Sequence, residues 1–149
     1  MRRVFLVDDE ALALRRLTRM LEATRRVEIV GQTTDPEAAI EAIRGAAGLD
    51  LVFLDISMPG LDGFELCAHL PPDVMVVFTT AHDEHALRAF QTSAIDYLLK
   101  PVRHDELIRA LDKLDRLRER PPAAGDAAAG HDQLARTMAA ILAARTPAR

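Results

Sequence analysis

The chain contains no tryptophan, one tyrosine (Tyr97) and one cysteine (Cys67). A single thiol forms no internal disulfide, so Cys67 suits a reducing cytoplasm and reads as a small packed hydrophobe. No apolar run approaches the ~20 residues that a membrane-spanning helix needs. The N-terminus passes from Arg2–Arg3 into the four-residue run Val4–Val7, too short for the core of a signal peptide. Nor is there a basic excess. The 19 Lys and Arg against 23 Asp and Glu leave a net charge of −4, which lacks the footprint of a nucleic-acid-binding surface. These absences predict a cytoplasmic chain with no membrane partner and no direct contact with DNA.

What is present is an ordinary globular balance. The 149 residues are 49% hydrophobic and 28% charged, enough for one full core and a short appendage. Five short apolar runs alternate with amphipathic stretches. Val4–Val7, Leu51–Leu54 and Val74–Phe78 are continuously apolar, as interior strands covered on both faces should be. Val27–Gly31, interrupted by Glu28, and Ile95–Leu99, containing Asp96 and Tyr97, read as border strands.

Helices fall between the strands. Leu14, Leu17, Met20 and Leu21 form the stripe of the first. Asp35–Pro36–Glu37 opens the second with a cap, a proline at the first position and an acid in the first turn. A third is predicted from Asp62 to Leu70 and a fourth around Glu84–Gln91. The fifth begins near Arg103 and buries Leu107, Ile108, Leu111, Leu114 and Leu117, with a charged flank from Asp112 to Arg120 that offers ion pairs to a second copy.

Five β-α repeats predict an α/β fold with helices on both faces of a parallel sheet. At this length the flavodoxin-like (βα)5 order 2-1-3-4-5 fits, with its ligand crevice where strands 1 and 3 diverge. The predicted domain covers residues 1–120. Residues 121–149 begin as a Pro/Ala/Gly-rich linker and continue into a possible short helix over His131–Arg145.

Polar groups close four of the strands: Asp8–Asp9, Asp55, Thr80 and Lys100. The carboxyl ends of parallel strands share one edge, so these groups converge. Three carboxylates, a hydroxyl and an ammonium suit a divalent cation and a phosphoryl group. Mg²⁺ takes oxygen ligands, usually one or two carboxylates plus waters and phosphate oxygens. Two bare carboxylates about 4 Å apart repel by roughly 4 kcal/mol at an effective dielectric near 20, so an empty cluster is poised to take a cation and should hold protons more tightly. Asp55, ending the central strand, is the nucleophile candidate, because carboxylates form aspartyl-phosphates. Lys100 and a threonine hydroxyl would face the transferring group's charge. Thr80 is the preferred source of that hydroxyl, with Thr79 as the alternative.

Four segments in order, Val7-Asp8-Asp9, Leu54-Asp55-Ile56-Ser57-Met58-Pro59-Gly60, Thr79-Thr80-Ala81 and Asp96-Tyr97-Leu98-Leu99-Lys100-Pro101, resemble the receiver domain of two-component response regulators. The likeness covers about residues 3–120. It implies that Asp55 accepts phosphate from a sensor histidine kinase. It implies Mg²⁺ held by Asp8, Asp9, Asp55 and the Ser57 main-chain carbonyl. It further implies phosphate contacts and switching by Thr80, Ala81, Lys100 and Tyr97, and a cis bond between Lys100 and Pro101. The stretches Thr80–Phe90 and Ala94–Val102 are similar to the subgroup that carries a LytTR-type DNA-binding domain, although His82 and His85 stand where tyrosine is common there. That subgroup implies phosphorylation-dependent homodimers acting on transcription, with DNA reached only through a C-terminal domain outside this chain.

Several other readings compete. Asp8 and Asp9 can cap the first helix, Asp55 can be a loop acid, and Tyr97 can be a packed border-strand residue. A haloacid-dehalogenase-like phosphohydrolase also uses an aspartate nucleophile, but its second Asp two positions on is Ser57 here, and no cap insertion is present. The chain therefore reads as a non-enzymatic receiver. A stand-alone phosphate shuttle or protein-binding module is the alternative.

Overall fold

The computed structural model describes residues 1–81 and 94–119 of the protein. Five parallel strands form one sheet: β1 (Arg2–Val7), β2 (Val27–Thr33), β3 (Leu51–Asp55), β4 (Met75–Thr80) and β5 (Asp96–Leu99). Their order is β2-β1-β3-β4-β5, the flavodoxin-like doubly wound arrangement. All five residues of β3 are buried, as its continuous apolar run at the sheet centre requires. The two runs interrupted by charge, β2 and β5, do lie at the borders.

Four helices are described: α1 (Ala11–Thr24), α2 (Pro36–Arg44), α3 (Gly63–Ala68) and α4 (His104–Glu119). The last is the fifth helix of the sequence reading. The predicted Glu84–Gln91 helix, with His82 and His85, lies outside the described residues, as does the segment 121–149.

Strand side chains alternate between faces, and this divides the core in two. On one face Val4, Leu6, Leu51, Phe53, Val77 and Leu98 meet α1 through Leu14, Leu17 and Leu21 and α4 through Leu107, Leu111 and Leu114. On the other, Val7, Val52, Leu54, Phe78 and Tyr97 meet α2 through Ala39 and Ile43 and α3 through Phe64 and Leu66.

Some boundaries differ from the pattern. β4 begins at Met75 and runs on to Thr80, two residues past its apolar run. The threonines fit a strand, and Thr79 stays paired with Asp55. β2 likewise continues beyond Gly31 to Thr33. α3 is shorter than predicted, starting after Asp62, whose side chain accepts the Glu65 N–H at 2.8 Å. The charged flank of α4 is engaged within the chain. Asp115 pairs with Arg2 at 2.9 Å and Arg26 at 2.7 Å, and Arg26 also reaches Asp112 at 2.9 Å. Arg118 donates to the Asp50 and Asp73 carbonyls at 2.8 and 2.6 Å. These contacts tie the end of α4 to the amino edge of the sheet. No helix among the described residues is long and apolar enough to cross a membrane.

Candidate metal and phosphoryl site

The site is built by register. Val7 pairs with Leu54, so Asp8 and Asp55 emerge side by side from adjacent strands. Carboxylate oxygens of Asp8, Asp9 and Asp55 all lie within 4.8 Å of one another. Asp8 and Asp55 are buried, and Asp9 is more open. From the far side of β4, the Lys100 ammonium reaches Asp8 Oδ2 at 2.7 Å, Asp55 Oδ2 at 3.4 Å and Glu10 Oε1 at 3.7 Å.

Burial pushes the Asp55 carboxyl up to about 8, and the neighbouring Asp8 charge adds to that, against the opposing pull of Lys100. Hydrogen bonding with Asp9 and Asp8 raises it further. Burial alone would lower the Lys100 pKa. The hydrogen bond to Asp8 and the charges of Asp55, Asp8 and Glu10 raise it instead. Lys100 is thus a permanent cation facing an acid cluster that it only partly neutralises. The donors are all oxygen, with at least two carboxylates in reach of one point, which fits a hard divalent cation such as Mg²⁺ and not a soft one.

The loop after β3 wraps Asp55. The Ser57 N–H donates to Asp55 Oδ1 at 3.2 Å, the Ile56 N–H to the Thr79 carbonyl at 3.0 Å and the Gly63 N–H to the Ile56 carbonyl at 2.9 Å. A Cβ on Gly63 would lie 2.5 Å from the Asp55 carbonyl oxygen and 2.8 Å from Ile56 Cα, so only glycine lets α3 start against this backbone. Gly60 takes a positive φ of 86° to turn the loop. The Lys100–Pro101 peptide bond is cis.

The two threonines part company by strand alternation. Thr79 and Ala81 line a cavity of about 370 Å³ together with Asp8, Lys100 and Pro101. Thr80 is fully buried on the face that carries Phe78 and Tyr97. Tyr97 is itself fully buried, paired in register with Phe78, whose ring packs on Phe64 at 5.0 Å between centroids. The helix-cap reading of Asp8 and Asp9 does not hold. Glu10 occupies the N-cap of α1 without a side-chain cap bond, while Asp8 Oδ1 accepts the Glu10 N–H at 2.9 Å.

The structure thus brings Asp8, Asp9, Asp55 and Lys100 together, with Ser57, Thr79 and Ala81 around them. Two contributors escaped the sequence reading. Glu10 looked like a surface acid at a helix start. Gly63 had a usable signal, a glycine directly after a capping aspartate and just beyond the candidate nucleophile.

The response regulator receiver domain model matches residues 4–112. An uncharacterised response regulatory protein of Yersinia pestis is 45% identical over 118 residues, 78% of this chain and 49% of its own length. The sensory transduction protein LytT of Bacillus cereus is 41% identical over 118 residues, covering 76% of this chain and 47% of that protein. The positive alginate biosynthesis regulatory protein of Pseudomonas aeruginosa is 42% identical over 153 residues, 93% and 60% of the two chains. The chain spans about half the length of the curated relatives it matches. Among solved structures, the response regulatory domain of mrkE from Klebsiella pneumoniae superposes with a TM-score of 0.70 at 35% identity, over 78% of this chain and 98% of that one.

Proposed function

The chain belongs to the response regulator receiver domain family, and on that premise we propose that Asp55 is its phosphoacceptor, loaded by a sensor histidine kinase with Mg²⁺ bound. The observation that carries this reading is the meeting of three carboxylates within 4.8 Å, with Lys100 against them, at the crevice between β1 and β3. Receivers in general hold Mg²⁺ at such an aspartate cluster. Here Asp8, Asp9, Asp55 and the Ser57 carbonyl are the proposed ligands. Bound there, the ion neutralises charge on the phosphoryl oxygens.

In the transfer, a carboxylate oxygen of Asp55 would form a bond to phosphorus as the N–P bond of a phosphohistidine breaks, the electron pair staying on that nitrogen and the imidazole leaving neutral with the proton its other ring nitrogen already carries. Asp55 must be ionised to attack, and a cation nearby would favour that form against its raised proton affinity. Lys100 then exchanges its carboxylate contacts for phosphoryl oxygens, and Ala81 leaves room beside them. Thr80 is the proposed switch hydroxyl, since it shares a strand face with Tyr97, which is already buried, and a shift of Thr80 would change the space around that ring. Movement of this pair would alter the surface that β5 and α4 present. In the whole protein that surface would control homodimerisation and, through a LytTR-type domain joined by residues 121–149, transcription.

The donor's landing place is supported by α1. Leu12 is 73% exposed, and Arg15, Arg16 and Arg19 meet no acidic partner among the described residues. Leu12, Arg16 and Met20 also line the cavity that ends at Asp8 and Lys100. A donor protein with an acidic rim around an apolar contact fits this face.

Intact-mass spectrometry after incubation with Mg²⁺ and an acyl phosphate tests the assignment. One phosphoryl group should appear on the wild type and none on Asp55→Asn or in chelator. An undiminished adduct on the mutant would move the acceptor elsewhere.

A further inference from the structure

β5 carries one acidic side chain wholly into the interior. Asp96 is fully buried on the face that packs on α4, among the apolar side chains of Val77, Leu98, Leu107, Leu111 and Leu114. Its carboxylate accepts from Arg109 at 3.2 and 3.3 Å and lies 3.5 Å from Lys113 Nζ. It also accepts the Tyr97 main-chain N–H at 2.8 Å. Arg109 and Lys113 stand four residues apart, so one turn of α4 grips one carboxylate. Lys113 is only 5% exposed. Burial lowers its pKa, and Asp96 is the group that opposes this.

Stability alone does not select such a cluster. Apolar side chains of similar volume in place of a buried ion cluster are often neutral or stabilising, and the best-attested use of buried ions is to fix register between packed elements. The location says which register. Tyr97 follows Asp96 directly and points to the opposite face of β5, so a backbone movement that repositions one must move the other. The last turns of α4 are meanwhile held to the amino edge of the sheet through Asp115, Asp112 and Arg118. α4 is therefore tied at its end and steered near its middle by the strand that carries the switch tyrosine.

We propose that Asp96, gripped by Arg109 and Lys113, is a positioning residue that converts displacement of Tyr97 into displacement of α4, making strand and helix one moving part. The proposal rests on the phosphoacceptor reading above. It predicts that acceptance of phosphate and movement of Tyr97 are separable from the response of α4. Without the cluster, β5 would slide over an apolar helix face whose contacts tolerate small shifts.

The 149-residue chain provides its own probe, because Tyr97 is its only tyrosine and it has no tryptophan. Tyrosine emission and amide hydrogen exchange of α4 are followed with an acyl phosphate and Mg²⁺, with phosphoryl occupancy counted by intact mass in the same sample. In the wild type both signals should change. In Asp96→Leu/Arg109→Met/Lys113→Met the emission change should persist while the α4 exchange response falls at least fivefold. Asp96→Asn, which keeps the side chain's shape, should reduce it at least twofold and guards against misfolding of the triple variant. An α4 response of wild-type size in either folded, phosphorylated variant overturns the proposal, as does a phosphorylated wild type whose α4 does not respond. A wild type that gains no phosphoryl mass instead strikes the phosphoacceptor reading.

Discussion

The Lys100 ammonium sits 2.7 Å from Asp8, closer than its 3.4 Å approach to Asp55. The lysine therefore pairs first with the acid beside the proposed phosphoacceptor, and on that reading it would compete with a divalent cation for that acid. Removing it should separate two effects. Lys100→Gln leaves the acid cluster without its internal cation, so Mg²⁺ affinity should rise several-fold while the rate of phosphoryl acceptance falls. Without metal, the variant should lose stability, by less than the roughly 3–5 kcal/mol for stripping a buried pair, because Asp55 can take up a proton instead. Isothermal titration with Mg²⁺ and urea melts in chelator check both signs. Weaker Mg²⁺ binding in the variant would show that Lys100 organises the carboxylates and does not compete for them.

Asp55 gives the metal-free domain a pH dependence of defined sign. Its folded pKa is raised from the ordinary carboxylate value to about 8, so the folded state holds the proton more tightly than the unfolded chain. That contribution to stability is complete below about pH 4 and is lost as pH rises toward 8. In chelator, the urea midpoint should therefore fall across this window, and the fall should vanish in Asp55→Asn. Saturating Mg²⁺ should flatten or reverse it, because the cation binds the ionised form and its affinity rises with pH as the proton is released. A wild-type midpoint in chelator that is level from pH 5 to 8 would refute the shift.

Gly63 is where the acceptor loop tolerates nothing larger. The added methyl of Gly63→Ala would meet the Asp55 and Ile56 main chain at 2.5 and 2.8 Å, and backbone atoms cannot swing aside as a side-chain tip can. We expect a loss of about 1–3 kcal/mol, the usual scale of overpacking, and a slower phosphorylation rate as Asp55 is pushed from its neighbours. Gly60→Ala, with nothing within 4 Å of the added carbon but a φ of 86°, should cost stability through backbone strain alone. Comparing the two variants by urea melts and acyl-phosphate labelling tells displacement of the acceptor from strain in its loop.

Much of this was legible in the chain, for identifiable reasons. The three fully apolar runs predicted interior strands, and Glu28 and Asp96 marked the border ones. Asp8, Asp9, Asp55 and Lys100 were readable because parallel strands deliver their C-terminal residues to one edge whatever the helices do. The threonine pair was not settled by pattern, because the face each one takes depends on how far β4 continues past Phe78. Asp96 reads in the sequence as an interruption and not as a buried, paired acid, since Arg109 and Lys113 lie 13 and 17 residues away on another element. The inward engagement of Asp112, Asp115 and Arg118 was hidden for the same reason. Charge on a helix flank does not announce that Arg2, Arg26 and two carbonyls wait beneath it.

The basic face of α1 leads to a prediction about selectivity. Its three arginines lie outside the acid cluster, so they should have little influence on phosphoryl transfer from a small donor that diffuses into the cavity. A protein donor on the docking face proposed above would instead cover Leu12, Arg15, Arg16 and Arg19, of which Leu12 and Arg16 line the cavity that ends at Asp8 and Lys100. Reversal of charge at Arg15, Arg16 and Arg19 to Glu should therefore slow transfer from the cognate kinase at least tenfold and leave labelling by acyl phosphate within about twofold of wild type. Leu12→Ser should act in the same direction through lost apolar contact. Raising ionic strength should slow the wild-type kinase reaction and bring it toward the variant's rate, because exposed charges steer association only within about a Debye length. Equal slowing with both donors would mean that the arginines act on the site itself, and equal rates with both would place the kinase on a different face.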